Sequence, residues 1–262
     1  MSYGERIAIK SRRELDQMRE AGRHTGEILL RLRELAKPGV RTEELNDVAS
    51  KELDQRGLKS PFLGYAPGGL PPYPAVLCAS VNDEIVHGIP GSRELQEGDI
   101  LSLDFGVDLE GFHGDSAVTI PIGGVPGATS RLVETTRDSL YEGIAQMVPG
   151  QRLSDIGYAV QSSAERAGYS VVRQFVGHGI GRQMHEPPQV PNYGRRGRGP
   201  RLTPGMVFAI EPMVNVGTEN IRMLEDEWTA VTADGELSAH FEHTVAVTEK
   251  GPEVLTAVEG SH

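Results

Sequence analysis

Residues 37–57 (KPGVRTEELNDVASKELDQRG) and 148–168 (VPGQRLSDIGYAVQSSAERAG) align without a gap at a constant offset of 111. Pro38 matches Pro149, Gly39 matches Gly150, Arg41 matches Arg152 and Gly57 matches Gly168, while Leu45 and Val48 fall on Ile156 and Ala159. Two helices with ordinary Pro-Gly starts and Gly stops could look alike by chance. Register and spacing coincide together, however, which favours duplication. A duplicated chain folds as two similar helix–helix–strand halves related by an approximate two-fold axis, and a shared site then lies at their junction.

The rest of the pattern fits such halves. A first helix is expected from Ser11, because Ser11 and Glu14 have capping-box spacing. Leu15, Met18, Ile28, Leu29, Leu32 and Leu35 form its apolar stripe, and Lys37-Pro38-Gly39 ends it. A second helix follows Thr42 and stops near Gly57. Strand-like runs cover 75–81, 99–107 and 112–120, the last two joined by a turn near Glu110-Gly111. Helical pattern returns over 130–147 and 154–167; beyond Val171 the chain reads as strand and loop.

Length and charge narrow the function. A chain of 262 residues can bury a full-sized core in one domain or in two close-packed halves. With 26 Lys and Arg against 37 Asp and Glu, the net charge of −11 argues against a phosphate backbone as main ligand. The single cysteine, Cys78, excludes an internal disulfide framework and a cysteine-rich zinc site, and fits a reducing cytosol. The first ten residues lack the apolar core of a signal peptide, and no stretch approaches 18 consecutive apolar residues. A cytoplasmic protein is expected.

Four segments carry candidate chemistry. In DFGVDLEGFHGDSA, Asp104 and Asp115 lie eleven residues apart, nearly opposite across the expected hairpin and among Leu101, Leu103, Phe105 and Val118. Two buried carboxylates stay protonated unless cations hold them ionised; two strand-edge aspartates facing water are the alternative. FVGHGIGRQMHEPP holds His178 and His185 in a glycine-rich loop, as a metal ligand and an acid–base or hydrogen-bonding partner. Glu211 in MVFAIEPMV and Glu242 in SAHFEHTVAVT each interrupt an apolar run, where a bound ion is the simplest partner for a buried glutamate. Four carboxylates would be neutralised by two divalent cations; oxygen-rich coordination with one imidazole suits manganese, iron, cobalt or zinc. His87, in NDEIVHGIP, reads as structural when taken alone, as do His24, His113, His240 and His243. The basic stretch at 193–201 (YGRRGRGPR) reads as a solvated loop by its glycines and proline.

In this order, VNDEIVHGIP, GFHGD, GHGIG, IEPMV and FEHTVAVT resemble the type I methionine aminopeptidases, from about Ile9 to Thr256. The resemblance implies an α+β pita-bread fold. It has two pseudo-two-fold-related α/β halves, a curved central antiparallel sheet and outer helices, with the metals at the centre. The chain would then be a single catalytic domain over 1–262, with halves of about 11–122 and 123–256. By the same resemblance, Asp104 and Asp115 hold the first metal, His178 and Glu211 the second, and Asp115 and Glu242 bridge. A water or hydroxide between the metals is the nucleophile, Glu211 shuttles its proton, and His87 and His185 bind the substrate around the scissile amide. Tyr65, Tyr73, Cys78 and Trp228 match pocket positions. Phe62 stands where relatives often carry cysteine and Met184 where they often carry phenylalanine, which suggests a compensating volume swap. APGGLPP before Tyr73 lengthens the loop on the rim.

The implied activity is removal of the initiator methionine from nascent proteins when the second residue is small. The alternatives are an X-Pro aminopeptidase or dipeptidase of the same fold, and a non-catalytic pita-bread binding protein. X-Pro enzymes commonly carry an extra N-terminal domain, whereas about ten residues precede the first helix here. A binding protein would have lost ligands, and every ligand position here carries the expected residue type. The expected partners are N-terminal peptides of nascent chains, with transient ribosome contact through residues 195–201, no membrane, no specific nucleic acid, and a monomeric state.

Overall fold

Ser11 caps the first helix, α1 (Arg12–Leu35). Its hydroxyl accepts from the Glu14 N–H, and the Glu14 carboxylate accepts the Ser11 N–H at 2.9 Å. The expected capping box is present. A computed structural model describes residues 6–258; residues 1–5 and 259–262, the two ends of the expected 1–262 span, lie outside it.

The elements follow as α2 (Thr42–Arg56), β1 (Cys78–Val81), β2 (Glu84–Val86), β3 (Ile100–Leu109), β4 (Phe112–Pro121), α3 (Gly127–Ile144), α4 (Leu153–Arg166), β5 (Ser170–Val171), β6 (Gly177–Gly179), β7 (Glu186–Val190), β8 (Val207–Ile210), β9 (Met213–Asn215), β10 (Ile221–Met223), β11 (Ala230–Thr232), β12 (Ser238–His240), β13 (Glu242–Thr248) and β14 (Gly251–Val254). Thr42 is the first helical residue of α2, not a position before it, because Arg41 serves as the N-cap. The third helix begins three residues earlier than the pattern suggested, at Gly127, directly after Pro126. The run from Ala75 pairs as a strand only from Cys78.

The repeat is visible atom by atom. Gly39 and Gly150 both adopt φ 91°, and their N–H groups donate to Leu95 O at 2.8 Å and Leu202 O at 2.9 Å. Arg41 and Arg152 are the N-caps of α2 and α4; their N–H groups donate to Glu44 Oε2 and Asp155 Oδ2, each at 2.8 Å.

The main sheet has eight strands in the order β1-β3-β4-β13-β8-β6-β7, with β14 on β13, and every pair is antiparallel. Alternation along each strand gives the sheet two different faces. One carries Leu101, Leu103, Phe105 and Val107, which pack with Ile28, Leu32, Leu45 and Leu53 of α1 and α2. Phe208, Ile210, Val245 and Val247 continue that face beneath Leu140 and Ile156 of α3 and α4. Each such side chain buried contributes about 1.5–3 kcal/mol. The opposite face carries the polar residues considered next. No helix among the described residues is long and apolar enough to cross a membrane.

Candidate metal centre

Register lines up the donors. Cys78 pairs with Asp104, Asp104 with Ala117, and Ala117 with Glu242, so four residues form one row across four strands. Asp115 lies nearly opposite Asp104, as the hairpin reading expected, but does not pair with it directly. The two-residue turn at Glu110-Gly111 sets Asp115 against Gly106, two places along. The aspartates are diagonal neighbours on one face, still within reach of a shared ligand. Nor do Leu101, Leu103, Phe105 and Val118 surround them: those side chains cover the helix face, and the aspartates point the other way.

His178 enters from β6, where it pairs with Ala209, itself opposite Thr244 of β13. Its Nε2 lies 3.4 Å from Glu211 Oε1 and 4.0 Å from Asp115 Oδ2. Ligand atoms of Asp115, His178 and Glu242 lie within 4.8 Å of one another. Thr244 fixes the Asp115 backbone: it accepts the Asp115 N–H at 3.0 Å and donates to Asp115 O at 2.8 Å. Asn192 holds the Glu211 backbone by one bond, donating to its carbonyl at 3.0 Å.

Burial raises the Asp104 carboxyl to about 7. Burial, then the neighbouring carboxylates, pushes Asp115, Glu211 and Glu242 well above their ordinary ranges. His178 is pushed down to about 3 by burial and then by His185. Asp104 Oδ1, Asp115 Oδ1 and Glu242 Oε1 are buried without a hydrogen-bond partner among the described residues. His178 donates from Nδ1 to Gly179 O at 2.9 Å, which leaves the Nε2 lone pair aimed at the acid cluster, without a hydrogen bond to it. Each of these faults is cured by a cation at the centre: it ionises the acids, occupies the orphaned oxygens and takes the imidazole lone pair. The donor set fits a divalent metal.

Above the row opens a cavity of about 310 Å³ lined by Asp104, Asp115, His178, Glu211 and Glu242 and walled by every pocket residue expected from sequence: Phe62, Tyr65, Tyr73, Cys78, Met184 and Trp228. His87 and His185 line it too. The Tyr65 hydroxyl lies 2.9 Å from His185 Nδ1, with the rings stacked at 5.3 Å. Trp228 meets Tyr73 edge-on at 5.1 Å and donates its indole N–H to Pro71 O, tying the loop at 66–72 to the wall. His87 holds φ 62° and is pushed down to about 4, by burial and then by His185.

Sequence reasoning missed Phe175, whose ring meets His87 edge-on at 5.3 Å. It also passed over Met223 and Glu227, which line the same cavity beside Pro67 and Leu70 of the rim loop. An apolar residue in a strand-like run reads equally well as core, so no local signal marked Phe175. His243 is turned to the helix face, bonded to Thr256 Oγ1 at 2.8 Å, and His24 sits among Arg23, Arg56 and Glu20 on α1.

The model of metallopeptidase family M24 matches residues 16–249. Methionine aminopeptidase 1 of Bacillus subtilis is 49% identical over 252 residues, covering 96% of this chain and all of that protein. The chain belongs to metallopeptidase family M24. Among solved M24-like structures, the methionine aminopeptidase of Rickettsia prowazekii superposes with a TM-score of 0.93 at 40% identity, over 96% of this chain and all of that one. The fold is therefore the pita-bread fold, with α+β halves and a curled antiparallel sheet. A prolidase from Pyrococcus horikoshii shares that fold at 18% identity and a TM-score of 0.74; this M24 chain covers 64% of it.

Proposed function

We propose that the chain is a methionine aminopeptidase, hydrolysing the first peptide bond of polypeptides that begin with methionine and carry a small second residue. One observation carries the reading: the acid-and-imidazole cluster forms the floor of an aromatic-walled cavity of about 310 Å³. That is the lower end of the range for ligand pockets, which suits one side chain and the bond beside it.

Asp104 and Asp115 would hold one divalent cation and His178 and Glu211 a second, with Asp115 and Glu242 shared between them. Four carboxylates carry four negative charges, which two ions of cobalt, manganese, iron or zinc would balance. Bound there, such ions supply Lewis-acid polarisation of the scissile carbonyl and acidify the attacking water. Glu211 takes the proton from that water at its carboxylate and returns it to the departing amide nitrogen as the C–N bond breaks. His87 and His185, both neutral at pH 7, donate ring N–H groups to the scissile amide and to the oxyanion as charge develops. Tyr65 Oη lies 2.9 Å from His185 Nδ1; where the hydroxyl donates, the imidazole proton sits on Nε2. Phe62 and Met184 shape the methionine pocket together: a Cβ on Gly106 would stand 3.1 Å from Phe62 Cε1 and 3.4 Å from Met184 Cε.

The enzyme works as a cytoplasmic monomer on emerging chains, and Arg195, Arg196, Arg198 and Arg201, all exposed, touch the ribosome. Neutralising the four arginines should abolish co-sedimentation with ribosomes; undiminished co-sedimentation removes that contact. The activity itself is tested by titrating manganese, cobalt, iron or zinc into apo-protein. Met-Gly-Met should be cleaved as metal is added and Ala-Pro peptides left intact. Cleavage of Ala-Pro peptides without cleavage of Met-Gly-Met would overturn the assignment in favour of an X-Pro enzyme.

A further inference from the structure

Lys10 and Glu186 form a buried ion pair that the chemistry above leaves unused. Lys10 Nζ lies 2.5 Å from Glu186 Oε2, with side chains only 5% and 12% exposed. A pair taken out of water is a weak source of stability, because desolvating both charges offsets most of their attraction. Its placement offers another account. Glu186 Oε1 accepts the N–H groups of Arg182 at 2.7 Å and Gln183 at 3.2 Å, so one carboxylate closes the turn at 181–186 and fastens it to Lys10. Lys10 is itself held, its N–H donating to Gly205 O at 2.7 Å.

Gly181, the last glycine of GHGIG, is explained by the same pair. A Cβ there would lie 2.5 Å from Lys10 Nζ and 2.8 Å from Glu186 Oε1, so the missing side chain is the space the ammonium occupies. The Gly181 carbonyl accepts the His113 N–H at 2.9 Å and lies 3.0 Å from His113 Nδ1, which anchors the turn from below. Between these anchors the turn carries two cavity residues, Met184 and His185. The Tyr65 hydroxyl and the His178 ring, 4.2 Å away between centroids, orient the His185 ring but do not fix the backbone from which it hangs.

We propose that Lys10 and Glu186 are positioning residues that set where His185 stands over the candidate metal centre. The proposal rests on the reading of His185 as a substrate-binding group. With either charge removed the turn relaxes, and the imidazole no longer meets the scissile amide in its working geometry.

The test uses the full chain loaded with Mn²⁺ and assayed on Met-Gly-Met below the melting temperature of each variant. Lys10→Met and Glu186→Gln are made alone and combined with His185→Ala; Glu186→Gln keeps an oxygen for the two backbone N–H groups. Each single substitution should lower kcat on the order of ten- to a hundredfold, with little change in KM or in Mn²⁺ affinity by calorimetry. In the His185→Ala background the same substitutions should cost less than about twofold, since coupled residues are not additive. Wild-type kcat in folded Lys10→Met, or an equal loss in both backgrounds, would overturn the proposal. If Lys10→Met does not fold, Glu186→Gln decides on the same criteria. Undiminished activity in His185→Ala would remove the functional reading of His185 and the proposal with it, whereas a loss there beside active Lys10→Met overturns the proposal alone.

Discussion

Asp104 and Glu242, in strands that do not touch, share one Cα partner, Ala117 of the strand between them. Ala117 is 3% exposed, and alternation aims its methyl group toward the same face as both acids. The smallest chiral side chain therefore stands where two acidic side chains converge. Ala117→Leu should fold but bind Mn²⁺ at least about tenfold more weakly, at an overpacking cost of about 1–3 kcal/mol. Calorimetry on the folded variant decides it: wild-type affinity would mean that this row is not the metal centre.

The same acids make the metal-free protein sensitive to base. In the folded chain Asp104 titrates at about 7, against 3.8 for an ordinary aspartate, and Asp115, Glu211 and Glu242 are raised as well. Above pH 4 the folded apo-protein therefore binds more protons than the unfolded chain, and stability falls as pH rises through the folded-state values. His87 and His178 are depressed and act in the opposite sense, but only below their ordinary value of 6.5. Between pH 6.5 and 8.5, then, the melting temperature of EDTA-treated protein should decline. Each kcal/mol lost appears as roughly 2–4 °C. With Mn²⁺ bound the acids are already ionised, and the decline should vanish. Parallel curves with and without metal would contradict this account.

It follows that removing one charge should help the apo-protein. Glu242 is 2% exposed and its Oε1 has no hydrogen-bond partner among the described residues. Glu242→Gln keeps the shape and ends the repulsion from Asp115 and Glu211. The apo-protein should melt about 2–4 °C higher while the rise on adding Mn²⁺ disappears. A lower apo melting temperature would show that Glu242 stabilises the fold without metal.

How much of this could be read from the chain depends on the residue. Asp104, Asp115, Glu211 and Glu242 were legible because an acid inside an apolar β-run has no inexpensive place to go. The Ser11–Glu14 cap was legible because its chemistry is local. The diagonal offset of Asp104 and Asp115 was not, since one residue more or less in the hairpin turn changes every pairing along the two strands. Ala117, Phe175 and Lys10 left no mark either. Each acts through a neighbour far away in sequence, and an alanine in a strand, or a phenylalanine in the bend before β6, looks the same whether it packs a core or shapes a site.

The methionine pocket offers a test of coupling. Phe62 and Met184 both reach over Gly106, so a change in the volume of one should be offset by the other. Phe62→Cys alone should narrow the preference for methionine over leucine and norleucine by about 10-fold, the worth of one or two methylene groups. Adding Met184→Phe should restore most of it. Ratios of kcat/KM for the three substrates measure the effect, and an unchanged preference in Phe62→Cys would end the volume-swap idea.

Gly39 and Gly150 let the duplication be tested by energy as well as by geometry. Both hold φ 91°, and in both cases a Cβ would meet nothing within 4 Å. An alanine there is therefore strained by backbone conformation alone, at about 1–2 kcal/mol. Because the two turns also spend their N–H groups on equivalent leucine carbonyls, the two penalties should agree within about 0.5 kcal/mol and add in the double variant, as distant sites do. Urea denaturation of Gly39→Ala, Gly150→Ala and the pair gives all three values. A large cost at one glycine and none at the other would mean that the two halves share a shape but carry different local strain.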